Sequence, residues 1–347
     1  MRTFMRWQVV LLVLGGCGPP KLDWDWENPG DSRVNTDDSA PPDDTAAPDD
    51  SDEPDDSAEP VEYDCDNLPE FNLGDATIEE ARGYHGLVMD DEGHAIGWDG
   101  RNALVKATYD GDREAWLPGQ RSAEQLARHP ITGDIYMARP SEGAVVKITP
   151  DGATTTLITD LWGIYGVIIG PDENLYLANH DVHRLDLDTM ELTLMAEAPN
   201  NGSWSAHSLG FGLDSTYLYI GTIGQGQVFR LPLDEDLNPA GELELFTRLP
   251  GGWLDAVGVD ACGNLWVPDY YSSALFRITP DGEYQHMVRT DSRAYGHGLA
   301  WGSGIGGWRN DTLYMPQPYN NNRVREVIIG VPDGRFVRTW NGNPVPF

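Results

Sequence analysis

The chain is short of cysteine, of positive charge and of long apolar runs. Three cysteines in 347 residues, Cys17, Cys65 and Cys262, exclude a disulfide-dense scaffold and a four-cysteine metal knot. Lys and Arg total 23 against 56 Asp and Glu, a net charge of −33. That balance excludes nucleic acid and anionic lipid surfaces as partners. The one apolar run near the N-terminus spans about ten residues, half of what a bilayer-crossing helix needs. No long amphipathic helix pattern appears, and "TIEEAR" (77–82) is the only short helical candidate.

What is present begins with "MRTFMRWQVVLLVLGGC". Arg2 and Arg6 precede the apolar run, the pattern of a secretory signal peptide over residues 1–16. Its "LGGC" ending resembles the lipobox of bacterial lipoproteins, which makes Cys17 the lipidated first residue of the mature chain. Gly18 stands where an inner-membrane retention Asp would be, so the expected location is exported and anchored to the bacterial outer membrane, on its periplasmic or surface side. The lipid is then the only membrane contact. Residues 17–64 follow as a disordered tether. They are rich in Asp, Pro, Ser and Ala, and from Lys21 to Asp64 they hold 17 acids and 2 bases. The tract lacks the spaced ligands and turn glycine of an EF-hand loop. It reads as a solvated spacer that holds a domain, residues 65–347, off the membrane.

That domain repeats one phrase: a turn, a short apolar strand, a tight turn, and a second strand of Tyr, Trp, Leu and Val. The copies are "YHGLVMDDEGHAIGW", "AEQLARHPITGDIYMA", "IYGVIIGPDENLYLA", "AHSLGFGLDSTYLYIG", "LDAVGVDACGNLWVP" and "GHGLAWGSGIGGWRNDTLYMP". Third strands such as "VVKITPDG" and fourth strands such as "TTTLI" lead into the next copy. Short strands bounded by Gly, Pro, Asp and Asn are an all-β signal. Six four-stranded units at a period of about forty residues predict a six-bladed β-propeller, expected as a monomer.

In a propeller the residue heading each innermost strand faces the mouth of the central channel. The phrase places His85, Glu124, Tyr165, His207, Asp255 and His297 at that position. Three of the chain's eight His fall on this single phase. Imidazoles and carboxylates converging on one axis need partners, and one divalent metal would supply them. His with carboxylate suits zinc, iron, manganese or nickel better than an all-oxygen calcium cage. Loops between second and third strands overhang the same mouth, which puts Asn179, His180, Asp269 and Tyr270 on a substrate rim.

The phrase "LDAVGVDACGNLWV" resembles the "PDGLAVDAEGNLWVA" signature of the senescence-marker-protein/gluconolactonase family. NHL-type repeats share the wider blade rhythm. The family resemblance implies a six-bladed propeller with a channel metal, often calcium, and lactone hydrolysis. Its metal ligands are a Glu in blade one, an Asn in blade four and the Asp of the signature. Asp255 matches that Asp, while His85 and His207 replace the other two and leave a two-His, one-carboxylate face. The trio His85, His207 and His297, with "AHSLGF", also resembles the zinc site of the peptide-amidating lyases. In either enzyme Asp255 or Glu124 would handle protons and Tyr165 would orient substrate or donate a proton. The expected ligand at the mouth is a small molecule, peptide or glycan. A non-catalytic propeller binding a glycan, peptide or protein is the reading from another class.

With Cys17 lipidated, Cys65 and Cys262 remain as a pair in an oxidising compartment, and a disulfide is expected. Cys262 falls on the turn at the lower face of blade five. Cys65 precedes "PEFNLGDATIEEAR" (69–82), which would serve as the outer strand of blade six and close the ring. "RFVRTW" (335–340) competes for that outer position.

Overall fold

The six phrases fold into six four-stranded antiparallel sheets set around an axis. A computed structural model describes residues 64–68, 75–78, 80–197, 205–289, 296–319 and 321–345. The expected signal peptide (1–16), the expected lipidation site Cys17 and nearly all of the expected tether (17–64) lie outside the described residues. The innermost strands are Leu87–Met89, Leu126–Arg128, Gly166–Ile169, Ala206–Phe211, Gly258–Val259 and Ala300–Trp301. Each pairs with the second strand of its blade, and third and fourth strands follow outward in chain order in blades one to five.

The second strands are apolar along almost their whole length, for example Leu265–Asp269 and Leu175–Ala178. Both faces of such a strand are covered by neighbouring blades, so alternation disappears. Fourth strands such as Thr154–Ile158 carry exposed residues because they face water. The apolar core is therefore radial, with one cluster in each seam. Val88, Ile96 and Leu104 of blade one pack against Leu126, Met137 and Ile148 of blade two. The last seam joins Tyr314 and Val324 of blade six to Leu87, Met89 and Ala95 of blade one.

Closure of the ring is settled by pairing. Asp75–Ile78 lies antiparallel on Arg323–Ile328 as the outer strand of blade six, with Asp75 opposite Val327 and Ile78 opposite Val324. Thr77 and Ile78 are thus strand residues, which corrects the helical reading of "TIEEAR". Sheet pairing to a partner more than 240 residues away overrides the local preference of Glu and Ala for helix. "RFVRTW" does not reach the blade edge. It forms a 3-10 turn, Gly334–Phe336, and the first strand of a small hairpin, Thr339–Trp340 with Asn343–Pro344.

Cys65 and Cys262 are joined in a disulfide with Cα atoms 5.5 Å apart and a sequence separation of 197. The link ties the segment before the closing strand to the turn of blade five. In the chain-entropy treatment a loop of this length stabilises by about 5 kcal/mol at most. The pair Cys65→Ala and Cys262→Ala should lower the urea midpoint accordingly, and an unchanged midpoint would assign the bridge no such role.

Candidate metal centre at the channel mouth

Five ring residues sit one to three positions before their inner strands and His207 lies within its own, and four are held by backbone bonds to the second strand of the same blade. Glu124 N donates to Ala138 O (3.0 Å), Tyr165 N to Ala178 O (2.9 Å), Asp255 N to Pro268 O (3.2 Å) and His297 N to Pro316 O (3.2 Å). The six side chains therefore share one level of the channel. His85 Nδ1 contacts Glu124 Oε2. Asp255 lies between two imidazoles, with Oδ1 3.6 Å from His207 Nδ1 and Oδ2 3.8 Å from His297 Nδ1. His85 stacks on His297 with centroids 4.2 Å apart, Tyr165 on His207 at 4.7 Å, and Tyr84 on His85 at 4.6 Å.

The polar atoms of this ring are buried and unsatisfied. Apart from His85 Nδ1 and Glu124 Oε2, which meet each other, His207 Nδ1, Asp255 Oδ2 and both ring nitrogens of His297 lack a hydrogen-bond partner. A buried polar group without a partner costs about 1–3 kcal/mol, and here several face one another. Burial pushes the imidazoles of His207 and His297 from the usual 6.5 down to about 3. His85 is also held well below its usual range, by burial and then by His297 and His207. Burial, with Asp269 nearby, raises the Asp255 carboxyl well above its usual range. Neutral imidazoles with free lone pairs are the metal-ligating form.

The separations around Asp255 are too long for direct hydrogen bonds. They are close to the spacing of two donors sharing one cation at about 2.1 Å each. No three of the ring's donor atoms stand within 4.8 Å of one another; among the described residues that spacing is met by Asp90, Glu92 and His94. That other cluster already holds a cation. Lys106 Nζ is 3.1 Å from Asp90 Oδ2 and 3.8 Å from Glu92 Oε2, while Asp90 Oδ1 accepts from the backbone N–H groups of Glu92 and His94. It is a lysine-filled Asx turn. The ring, by contrast, offers donor atoms with no Lys or Arg beside them among the contacts of the described residues.

The metal-free ring should make the protein sensitive to acid. A buried His with a depressed pKa contributes stability that is complete above the unfolded value near 6.5 and is lost as pH falls toward 3. Each contributes up to about 1.4 kcal/mol per pH unit within that window. Asp255 acts oppositely: its neutral form stabilises at low pH, and that contribution is lost as pH rises through its raised value. With EDTA present, the urea midpoint should fall between pH 6.5 and 4, and His207→Gln should flatten the fall. Equal pH profiles for the two proteins would refute the assignment.

The rim residues divide. Tyr270 meets His297 edge-on at 4.4 Å, and its hydroxyl is 3.3 Å from that of Tyr319. His180 is exposed at φ 102°, and its backbone bridges to Ala206. Asn179 Oδ1 is buried without a partner, and its Nδ2 is 3.5 Å from Trp162 O. Asp269 is fully buried, and its carboxylate accepts from Gly252 N, Trp253 N, Ser272 N and Ser272 Oγ. It locks two loops together rather than presenting an oxygen to a ligand.

Other participants come from the structure alone. Gln125 Nε2 approaches three ring carbonyls from beneath, at 3.0 Å from Asp255 O, 3.3 Å from His85 O and 3.5 Å from His297 O. The residue after each ring position is small in the other five blades: Gly86, Gly166, Ser208, Ala256 and Gly298. The one large polar residue at that phase was a readable signal. Trp253, 42 % exposed, stacks on Tyr270 at 5.1 Å, and Tyr319 is 57 % exposed. The mouth therefore has an aromatic wall above the donors.

Known proteins share this architecture. Part of the chain is similar to 6-deoxy-6-sulfogluconolactonase of Pseudomonas putida, 26 % identical over 126 residues, or 35 % of this chain. The match spans about two fifths (41 %) of that relative's length. A gluconolactonase from Xanthomonas campestris superimposes with a TM-score of 0.60 at 15 % identity, covering 78 % of this chain and 96 % of the other. Regucalcin from Agrobacterium tumefaciens, a calcium-binding protein, superimposes with a TM-score of 0.61 at 17 % identity, covering 76 % and 96 %. No family model matches the sequence. At these identities the solved structures establish the fold: the chain is a six-bladed β-propeller whose structural neighbours include gluconolactonase-type propellers.

Proposed function

We propose that the protein is an exported, lipid-anchored, metal-dependent hydrolase that opens a lactone at the mouth of its channel. The observation that carries this reading is the ring of buried, unpartnered imidazole and carboxyl atoms. The local likeness to a sulfogluconolactonase supports the choice of lactone. His207, Asp255 and His297 would hold the cation, with His85 beside them. When bound, the cation supplies positive charge at the lactone carbonyl oxygen and favours ionised over neutral water.

The chain's own groups do the rest. Glu124 Oε2 takes a proton from the attacking water, held in line by His85. The water oxygen bonds to the carbonyl carbon, the ring C–O bond breaks, and the leaving oxygen takes a proton back from Glu124. The product is a hydroxy acid. Tyr165, stacked on His207, fixes that imidazole and borders the substrate. The Tyr270 and Tyr319 hydroxyls bind substrate oxygens, and Trp253 offers its face to the apolar face of a sugar ring. The acidic segment after Cys17 would space this mouth from the membrane.

The test uses the full chain without a histidine tag. It is loaded with zinc, manganese or calcium, assayed for metal by elemental mass spectrometry and for proton release from gluconolactone and related lactones. Near-stoichiometric metal and hydrolysis lost with EDTA are expected. Metal without lactone turnover would point to the lyase-type reading. Neither metal nor turnover would leave the aromatic mouth as a glycan-binding surface.

A further inference from the structure

The inner strands surround a cavity of ≈ 220 Å³. Its walls are the inner strands of all six blades, with Leu126, Val167, Leu209, Val257 and Trp301 among them. Its floor is the C-terminal segment, which brings Asp333, Arg335, Arg338 and Val345 to it. That segment is fastened to blade four: Thr339 N donates to Leu213 O at 2.7 Å, Ser215 Oγ to Thr339 O at 2.7 Å, and Trp340 Nε1 to Glu235 O at 2.8 Å. Val345 N closes it on Arg338 O at 2.9 Å. The floor is a built surface.

Two guanidinium groups meet there against one carboxylate. Arg335 Nε lies 3.3 Å from Asp333 Oδ2, and Asp333 Oδ1 is taken by the Arg335 backbone N–H at 2.9 Å. Arg338 Nη2 donates to Phe211 O at 3.1 Å, and its Nε is buried with no partner. A guanidinium has five donors in a fixed fork, so most of those on Arg338 are unspent at the wall of a half-open cavity. Burying a cation without a counter-charge is costly. The chain carries 56 acids, yet it places one acid, Asp333, and three arginines at this cavity, of which Arg128 is paired with Asp91 and Arg335 and Arg338 share Asp333.

We propose that this cavity is a binding site for a small oxyanion, a carboxylate or a phosphate, gripped by Arg338 and Arg335. The planar fork suits two oxygens of either group. The inner strands pair on one side only, so their free edges add backbone N–H groups facing the axis. Neither Gln125 nor any of the six ring residues lines this cavity. An occupant would tie the C-terminal segment to the inner strands and stabilise the whole ring.

The experiment is thermal unfolding of the full chain in EDTA, titrated with phosphate, gluconate or chloride at matched ionic strength. A saturable rise in midpoint with phosphate or gluconate and none with chloride is expected, and the stronger of the two identifies the anion class. Arg338→Gln should weaken the binding about tenfold or more, as for loss of a charge-assisted hydrogen-bonding group, while His207→Ala should leave it unchanged. If Arg338→Gln does not fold, Arg335→Gln and equilibrium dialysis of radiolabelled phosphate against the unaltered chain carry the test. No saturable response to either anion, or a response that persists in the arginine variants, would overturn the proposal.

Discussion

Asp255→Asn should leave the propeller folded, strip it of its metal and cost about a thousandfold in lactone turnover. Folding should survive because burial shifts the Asp255 carboxyl well above its usual range and so favours its neutral form, and Asn is a neutral group of nearly the same shape. The loss arises only when a cation must be held between Asp255, His207 and His297. Charge stabilisation of several kcal/mol at the carbonyl oxygen converts at about 1.4 kcal/mol per factor of ten in rate. The proton balance gives a second readout. Metal capture must expel the Asp255 proton, so affinity should rise with pH up to the raised carboxyl value and level off above it. Calorimetry in buffers of differing ionisation enthalpy would count that proton. It should be released by the unaltered chain and absent from Asp255→Asn. A variant that keeps its metal and turns over within tenfold of the unaltered chain would remove Asp255 from the site.

How far the sequence reached can be traced residue by residue. The propeller was legible because each blade repeats its own turn residues and strand pattern, so six weak local signals shared one phase. The ring was legible for the same reason: His85, His207 and His297 recur at one position, and closure alone brings them to one axis. What escaped lies where chain-distant partners decide. "RFVRTW" has the pattern of a strand, yet Arg338 finds Phe211 and Trp340 finds Glu235, over 100 residues back. "TIEEAR" has helix-forming residues, yet its first two pair with Arg325 and Val324. Asp269 and Asp255 are both acids near the channel, and only the structure separates the loop lock from the ring member. Gln125 stood out as the one large polar residue at its phase, but its partners, carbonyls of blades one, five and six, leave no mark in a sequence.

Gly298→Ala should be the most damaging single-methyl change in the ring. A Cβ at position 298 would stand 1.9 Å from His85 O, an atom that also lies 3.3 Å from Gln125 Nε2. The obstacle is backbone, so no rotamer relieves it, and blade six would have to withdraw from blade one by more than an ångström. Overpacking that forces backbone shifts costs about 1–3 kcal/mol and occasionally more. This seam also carries the His85–His297 stack and the last apolar cluster of the ring, so a loss of about 3 kcal/mol is expected. The same logic holds at Gly166, where a Cβ would stand 2.5 Å from His207 O. It fails at blade four, where Ser208 occupies the equivalent place and uses its Oγ to reach Leu254 O at 2.9 Å. Ser208→Ala should therefore cost only the one hydrogen bond, about 1 kcal/mol. Urea midpoints of the two variants, read beside near-ultraviolet dichroism of the ring aromatics, compare a steric seam with a bonded one. If Gly298→Ala unfolds within about 0.5 kcal/mol of the unaltered chain, the span of an ordinary surface change, then the blades do not meet as closely as described, and the imidazole ring they hold together is looser than its stacking distances indicate.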